Sequence, residues 1–295
     1  MTTGILFGLG AALLQSVSYL LSAIFISRYK SGATTHLIIV HIIVGVFALL
    51  LLPFIWHPLA LEIEGYWLAL LGAAATYMFG QFSLYKAIQH SVASRVSPLL
   101  GLKILVVAFI GITLLGHEYQ WLQWLAVSLS VMGAIWLSAS GGRVSKKAIG
   151  WVMATCTGYA VSDICIYYLI KHFSSMPLLS AAMLSVALCY SLCGLCCLAF
   201  WRRLKQPQEI IASTPAAITW FFALSCLFAC FAELGVVFGG IVQSSRGIIS
   251  ILLTIMLASL SWGVTDPLPP RKILLQRITA ASLMTLAIAL FSIAE

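Results

Sequence analysis

Four ionisable side chains stand inside otherwise apolar runs: His41, Lys103, Asp163 and Glu233. A charge within hydrocarbon costs about 2.5–3.5 kcal/mol on insertion scales, so such groups mark solute pathways, proton relays or internal ion pairs. One cation and two carboxylates permit a Lys103 ion pair with either acid and leave one carboxylate over to carry a proton. Asp163 is the preferred partner of Lys103, on a helix that starts on the same side, and Glu233 is the preferred proton carrier; the two assignments are exchangeable. The plainer alternative is a pair that only neutralises itself and joins helices without touching a solute. His41 has no evident partner and reads as a hydrogen-bonded packing residue.

Polar residues also recur at helical spacing, where positions three, four and seven apart share one face. The stripes are Gln15, Ser18, Tyr19 and Ser22; Tyr77, Gln81 and Tyr85; Tyr159, Asp163 and Tyr167; and Ser250 with Thr254. In lipid a polar stripe must face protein or water, so four such stripes imply a shared interior cavity. The substrate-binding candidates are therefore Tyr19, Gln81, Tyr85, Lys103, Tyr159, Asp163 and Tyr167, with Glu233 and Asp163 for proton coupling. Ser22, Ser250 and Thr254 read instead as interhelical hydrogen-bonding groups. Arg95 and Pro98, and Arg246 in the second half, stand where two later helices begin. Helix N-termini there, with the two arginines, would face an anionic group at a gate; a capped helix start with a snorkelling arginine is the simpler alternative.

Other chemistries find little support. Cys189, Cys193, Cys196 and Cys197 have spacings that fit one helical face, but no second ligand cluster accompanies them, and buried cysteine behaves as a small hydrophobe. No metal and no cofactor is expected. The tryptophans sit at or near the ends of apolar runs, as an interfacial belt would. No nucleotide-binding motif is present, which excludes direct ATP coupling, and the dense His/Asp/Glu constellations of an intramembrane enzyme are missing.

The elements that must position these residues follow from composition. The chain has 295 residues, 62% hydrophobic and 8% charged, with a mean hydropathy of +1.06. That excludes a soluble domain, disorder and a coiled coil. About 20 apolar residues are needed per crossing. Ten runs fit, at 4–28, 35–56, 66–88, 95–115, 120–138, 149–171, 177–200, 216–239, 245–263 and 273–294. The first is long enough to span, with no basic residue before it, so it reads as a retained helix and not a cleaved leader.

A Gly/Ser/Lys-rich break from Ser138 to Lys147 divides the runs into two halves of five, residues 1–138 and 149–295, with 139–148 as linker. A shift of 151 places lays Ser94-Arg95 on Ser245-Arg246. Because five is odd, a duplicated unit must insert upside down relative to its copy. Of the 16 Lys and Arg, twelve lie in connections after odd-numbered runs, and only Lys171 and Arg246 after even-numbered ones. The excess marks the cytoplasmic side and places both termini outside. The net charge of +8 is then a record of topology and implies no nucleic-acid partner.

Two five-helix halves, the Ser94 to Pro98 segment Ser-Arg-Val-Ser-Pro, and Gly116-His-Glu118 followed by Trp121-Leu-Gln123-Trp-Leu resemble the EamA-like branch of the drug/metabolite transporter superfamily. In the second half, Asp266-Pro267-Leu-Pro269-Pro270 stands in place of a Gly-x-Glu turn. The resemblance implies an all-α membrane protein, ten transmembrane helices as two inverted five-helix repeats around a central cavity, with spans five and ten peripheral. It also implies cytoplasmic termini, against the Lys/Arg count, which is followed here. The expected function is secondary transport of a small metabolite, an amino acid or related organic solute, outward and by alternating access. A nucleotide-sugar or lipid-linked sugar carrier is the alternative within the class, and a lipid-modifying enzyme or a scaffold the alternative outside it. The expected surroundings are the lipid bilayer of a bacterial inner membrane, with the chain a monomer or homodimer.

Overall fold

The computed structural model describes residues 1–29, 32–91, 96, 99–116, 118–139, 145–203, 206–246, 249–250, 252–253, 256 and 271–294. Among these there are α-helices and short 3₁₀ turns and no strand. An apolar chain satisfies every backbone N–H and C=O within its own segment only as a helix, which is why long apolar runs fold this way. The helices are α1 (Thr2–Arg28), α2 (Gly32–Ile55), α3 (Trp67–Gln89), α4 (Lys103–Leu115), α5 (Trp121–Ala139), α6 (Lys146–His172), α7 (Leu178–Leu198), α8 (Pro207–Ser244) and α9 (Arg271–Ala294). They overlap the first eight expected spans and the tenth, although α4 starts well after 95 and α8 extends beyond 216–239 at both ends. The ninth, 245–263, lies largely outside the described residues.

Among the described residues six helices, α1, α2, α3, α6, α7 and α8, are long and apolar enough to cross a membrane, and shorter apolar helices occupy 100–113, 121–136 and 278–294. Trp56, Trp67, Trp121, Trp124 and Trp201 are exposed at or beside helix ends, where an amphipathic ring suits a membrane interface. Pro53 lies inside α2 and Pro215 inside α8, positions that helices in membranes tolerate because neighbouring groups satisfy the freed backbone.

Contacts gather the chain into two compact units, each with segments from both sequence halves. The first unit comprises Met1–Ala75 and Cys165–Glu233. Within it α2 crosses α7 at Gly45 and Gly194, where a Cβ on either glycine would fall 2.8 Å from the other's Cα. With no hydrophobic drive between helices in lipid, such close backbone approach supplies the attraction by van der Waals contact. α1 packs on α8 through Ser18 Oγ, which donates to the Ala216 carbonyl at 2.9 Å. His36 of α2 meets Ser213 of α8 at 3.0 Å. Phe173, Leu184, Tyr190, Phe221, Phe228 and Phe231 fill the interior.

The second unit comprises Thr76–Ile164 and Leu234–Glu295. Here α3 crosses α6 as closely as the backbones allow: a Cβ on Gly158 would lie 2.9 Å from both the Gly80 nitrogen and the Thr76 carbonyl oxygen. α5 and α9 pack along each other, and Phe238 of α8 stacks on Phe291 of α9 at 4.9 Å. Ala87, Val96, Val152 and Cys156 form a buried cluster, covered by Leu84, Leu99, Leu102, Val106 and Trp151. One break interrupts α8. Gly235 adopts φ 71°, ψ 171°, a conformation essentially confined to glycine, and it interrupts the regular helix at that residue.

Candidate functional site

Lys103 is the first residue of α4, reached through the 3₁₀ turn Leu100–Leu102. A cation there opposes the positive end of the helix dipole, so it needs a negative partner. Asp163, on α6, provides one: Nζ lies 2.7 Å from Oδ2, with the side chains 13% and 9% exposed. Gln243, near the end of α8, is a second acceptor, its Oε1 2.9 Å from Nζ. Three helices thereby meet at one ammonium group. Two turns before Asp163, the Cys156 thiol donates to the Leu99 carbonyl at 3.6 Å, which fastens the approach to α4 against α6.

A string of side chains continues from this pair. Tyr159 stands one turn before Asp163 on α6, and its ring stacks on Tyr77 of α3 with centroids 5.9 Å apart and planes at 27°. The Tyr77 hydroxyl accepts from Gln81 Nε2 at 2.8 Å. Gly80 leaves room for the Tyr159 ring, which a Cβ there would approach to 2.5 Å. Gln81, Tyr77, Tyr159, Asp163, Lys103 and Gln243 therefore form one polar series within the second unit, carried by α3, α4, α6 and α8. Tyr85 is half-buried one turn beyond Gln81. The arrangement pairs a fixed cation and a fixed anion with hydrogen-bonding groups and two aromatic faces, which is equipment for binding a small polar solute.

The remaining predicted residues lie elsewhere. In the first unit Tyr19 is 41% exposed and meets Trp220 edge-on at 5.5 Å, and Tyr167 packs edge-on against Tyr168 at 5.7 Å. Glu233 is exposed, and its Oε2 stands 3.7 Å from the Met1 amino nitrogen. It is thus level with the N-terminal end of α1. Arg246 is half-buried just beyond α8. Ser94, Arg95, Pro98, Thr254 and the Asp266 to Pro270 segment fall outside the described residues. Glu118 is exposed in the connection from α4 to α5. His41 is buried, with Nδ1 2.9 Å from the Leu37 carbonyl of its own helix. Ser22 likewise bonds within its helix, to the Ser18 carbonyl at 2.8 Å. Among the described residues, no three His, Cys, Asp or Glu converge as a metal site.

Sequence reasoning passed over Gln243 and left Tyr77 out of the site. A lone amide amid Val236 to Ile241 and Ser244 was the signal for Gln243, and the spacing of Tyr77 from Gln81 the signal for the other.

Six membrane-length helices, further short apolar ones and a charged pair housed among them define an integral, multi-pass membrane protein. Residues 2–139 match the EamA-like transporter family. That family lies within the drug/metabolite transporter superfamily, whose members are membrane transporters, and the match covers the first of the two sequence halves. A solved structure, described as a crystal structure of a protein, aligns over 99% of this chain and 97% of its own at 12% identity, with a TM-score of 0.67, so the two share a fold. Comparison with curated proteins finds no match in sequence.

Proposed function

We propose that the protein is a secondary carrier that exports a small carboxylate-bearing metabolite, an amino acid or related organic solute, by alternating access. The observation that carries this reading is the Lys103 ammonium held between Asp163 at 2.7 Å and Gln243 at 2.9 Å. A substrate carboxylate would compete for that ammonium, while Tyr77 and Tyr159 offer faces to its apolar part. Tyr19, Tyr85 and Tyr167 complete the proposed binding residues. Asp163 and Glu233 are the carboxylates proposed to carry protons, and Arg95, Pro98 and Arg246 the proposed gate. A nucleotide-sugar cargo fits less well, because the one cation of this cluster is already matched by an acid and a diphosphate needs positive charge in excess.

Two inverted five-helix repeats, residues 1–138 and 149–295 joined by 139–148, are the proposed architecture. The helix pairs support it. Exchanging the halves interchanges spans one and six, two and seven, three and eight, and five and ten. Under that exchange the observed pairings of α2 with α7 and of α5 with α9 (the tenth span) map onto themselves, and those of α1 with α8 and α3 with α6 map onto each other. The family match ends at residue 139, where the linker begins. The proposed setting is a bacterial inner membrane with both termini outside, as monomer or homodimer.

The test is a thermal-shift screen of purified protein against metabolites, followed by flux measurements in proteoliposomes with whichever compounds stabilise it. Transport that Lys103→Met abolishes supports the carrier. Unchanged solute fluxes in Asp163→Asn and Glu233→Gln would favour a scaffold.

A further inference from the structure

The lysines at the end of α3 and the start of α6 take no part in the solute cluster. Both helix ends belong to the second unit, and they meet through Ser145, whose Oγ donates to the His90 carbonyl at 3.0 Å and accepts from the Ala148 N–H at 3.2 Å. Deeper in, the rings of Phe82 and Trp151 meet edge-on, with centroids 6.1 Å apart. Each ring has a lysine one turn above it. Lys86 follows Phe82 on α3 and holds its Nζ 5.5 Å from that ring's centroid. Lys147 precedes Trp151 by one turn on α6 and shares its helical face. Lys146 stands beside Lys147, and both are exposed. Phe82 is 54% exposed on a helix of membrane-spanning length, which sets its ring against acyl chains and the lysine ammonium groups at headgroup level.

Within this unit no acid among the described residues balances these cations. The described carboxylates are Asp163 and Glu118. Asp163 lies roughly four turns further along α6 and is matched by Lys103 at 2.7 Å. Glu118 follows the far end of α4. The chain passes Cys156 at Leu99 and Asp163 at Lys103, so α4 runs away from the lysines and carries Glu118 with it. The N-terminal end of α6 adds its positive dipole end to the same place.

We infer that Lys86 and Lys147, with Lys146 beside them, bind the phosphate of an anionic phospholipid whose acyl chain lies along Phe82. The phosphate bridges two helices, taking one ammonium from α3 and one from α6. These helices also bring Tyr77 and Gln81 against Tyr159, so the bound lipid ties them together at this end and stabilises the protein. A phosphatidylcholine carries its own cation and competes poorly for the place. The inference needs only a chain that lies in a bilayer, and it stands apart from the carrier reading.

The experiment is thermal unfolding of the purified full chain in a neutral detergent, with phosphatidylglycerol or phosphatidylcholine of the same acyl chains added at equal mole fraction. Phosphatidylglycerol should raise the apparent Tm and phosphatidylcholine should not, and the rise should shrink in about 0.5 M salt. The double variant Lys86→Gln, Lys147→Gln should lose the response, whereas Lys171→Gln, at the other end of α6, should keep it. Native mass spectrometry of the same samples should show a retained phosphatidylglycerol, bound roughly tenfold more weakly or worse by the double variant. Equal stabilisation by the two lipids, or an undiminished response in the double variant, overturns the inference. Glycerol 3-phosphate at the same concentration should have no effect, and if it stabilises as well as the lipid, the ligand is a soluble phosphate and the inference fails. If the double variant does not fold, Lys147→Gln alone decides, since that side chain is exposed: a weakened response supports the lipid, and a response equal to wild type overturns it.

Discussion

Replacing Lys103 with Met keeps the length of the side chain and removes its charge, so it isolates what the ammonium contributes to stability. The variant loses two contacts, with Asp163 at 2.7 Å and Gln243 at 2.9 Å. They differ in weight. Neutral interhelical hydrogen bonds in membranes are worth about 0.6 kcal/mol on average and at most about 1.7, whereas unpairing a buried charge costs about 3–5 kcal/mol. Asp163 is 9% exposed, so the lower end applies, about 3 kcal/mol. At about 2–4 °C per kcal/mol for a chain of this size, the apparent Tm should fall by roughly 6–12 °C. Gln243→Leu, which leaves the ion pair intact, should cost well under half as much. The double variant Lys103→Met, Asp163→Leu strands no charge and should be more stable than Lys103→Met alone. The assay is thermal unfolding in detergent, read by intrinsic fluorescence and by monodispersity on a sizing column. If Lys103→Met shifts Tm by less than about 2 °C, or if the double variant is less stable than the single by the full cost of a second substitution, the two residues are not coupled. The site would then be wet or its acid uncharged.

Three other outcomes are expected. Gly158→Leu should destabilise the protein by at least about 1–3 kcal/mol, because its Cβ would fall 2.9 Å from the Gly80 nitrogen and the Thr76 carbonyl, atoms that cannot swing aside; the same unfolding assay reads it, with Gly150→Leu, where nothing lies within 4 Å, as the control. Glu233→Gln should abolish pH-driven uptake into proteoliposomes and spare substrate exchange, whereas equal loss of both would remove Glu233 from proton coupling. A reporter fused after Glu295 should be active outside the cytoplasm, and a cytoplasmic signal would reverse the orientation while leaving the helices as they are.

The six membrane-length helices were legible because each apolar run must close its own hydrogen bonds, and hydropathy alone locates such runs. Ends were less so. α8 begins at Pro207, earlier than the expected 216, because the Gln-Glu and Ser-Thr-Pro of residues 208–215 look like a connection. α4 is shorter than 95–115 suggests, since the chain reaches Lys103 through a 3₁₀ turn. Neither feature has a period that sequence patterning detects. Likewise the break at Gly235 is one glycine among 22, and nothing local distinguishes it from Gly240 five residues on.

The site divides along a similar line, between what energy demands and what only geometry decides. A lysine and an aspartate in apolar helices have to find opposite charge, so the pair between Lys103 and Asp163 could be anticipated from their types and depths. Gln243 carries no such obligation. Its amide costs less to bury and finds acceptors and donors in many ways, so its position beside Lys103, 140 residues away, emerges only when the chain is folded. Glu233 is the opposite case. Counting along a straight helix from 216 puts it within the hydrocarbon, yet it lies two residues before the break in α8 and beside Met1. A carboxylate level with the beginning of α1 has ready access to water at that end of the chain. That position suits the proton exchange with bulk solvent proposed for Glu233, while Asp163 is held by Lys103 within the polar series of the second unit. The two acids resemble each other in sequence as rare charges in apolar helices, and only folding separates their surroundings, an internal ion pair for one and an exposed helix break for the other.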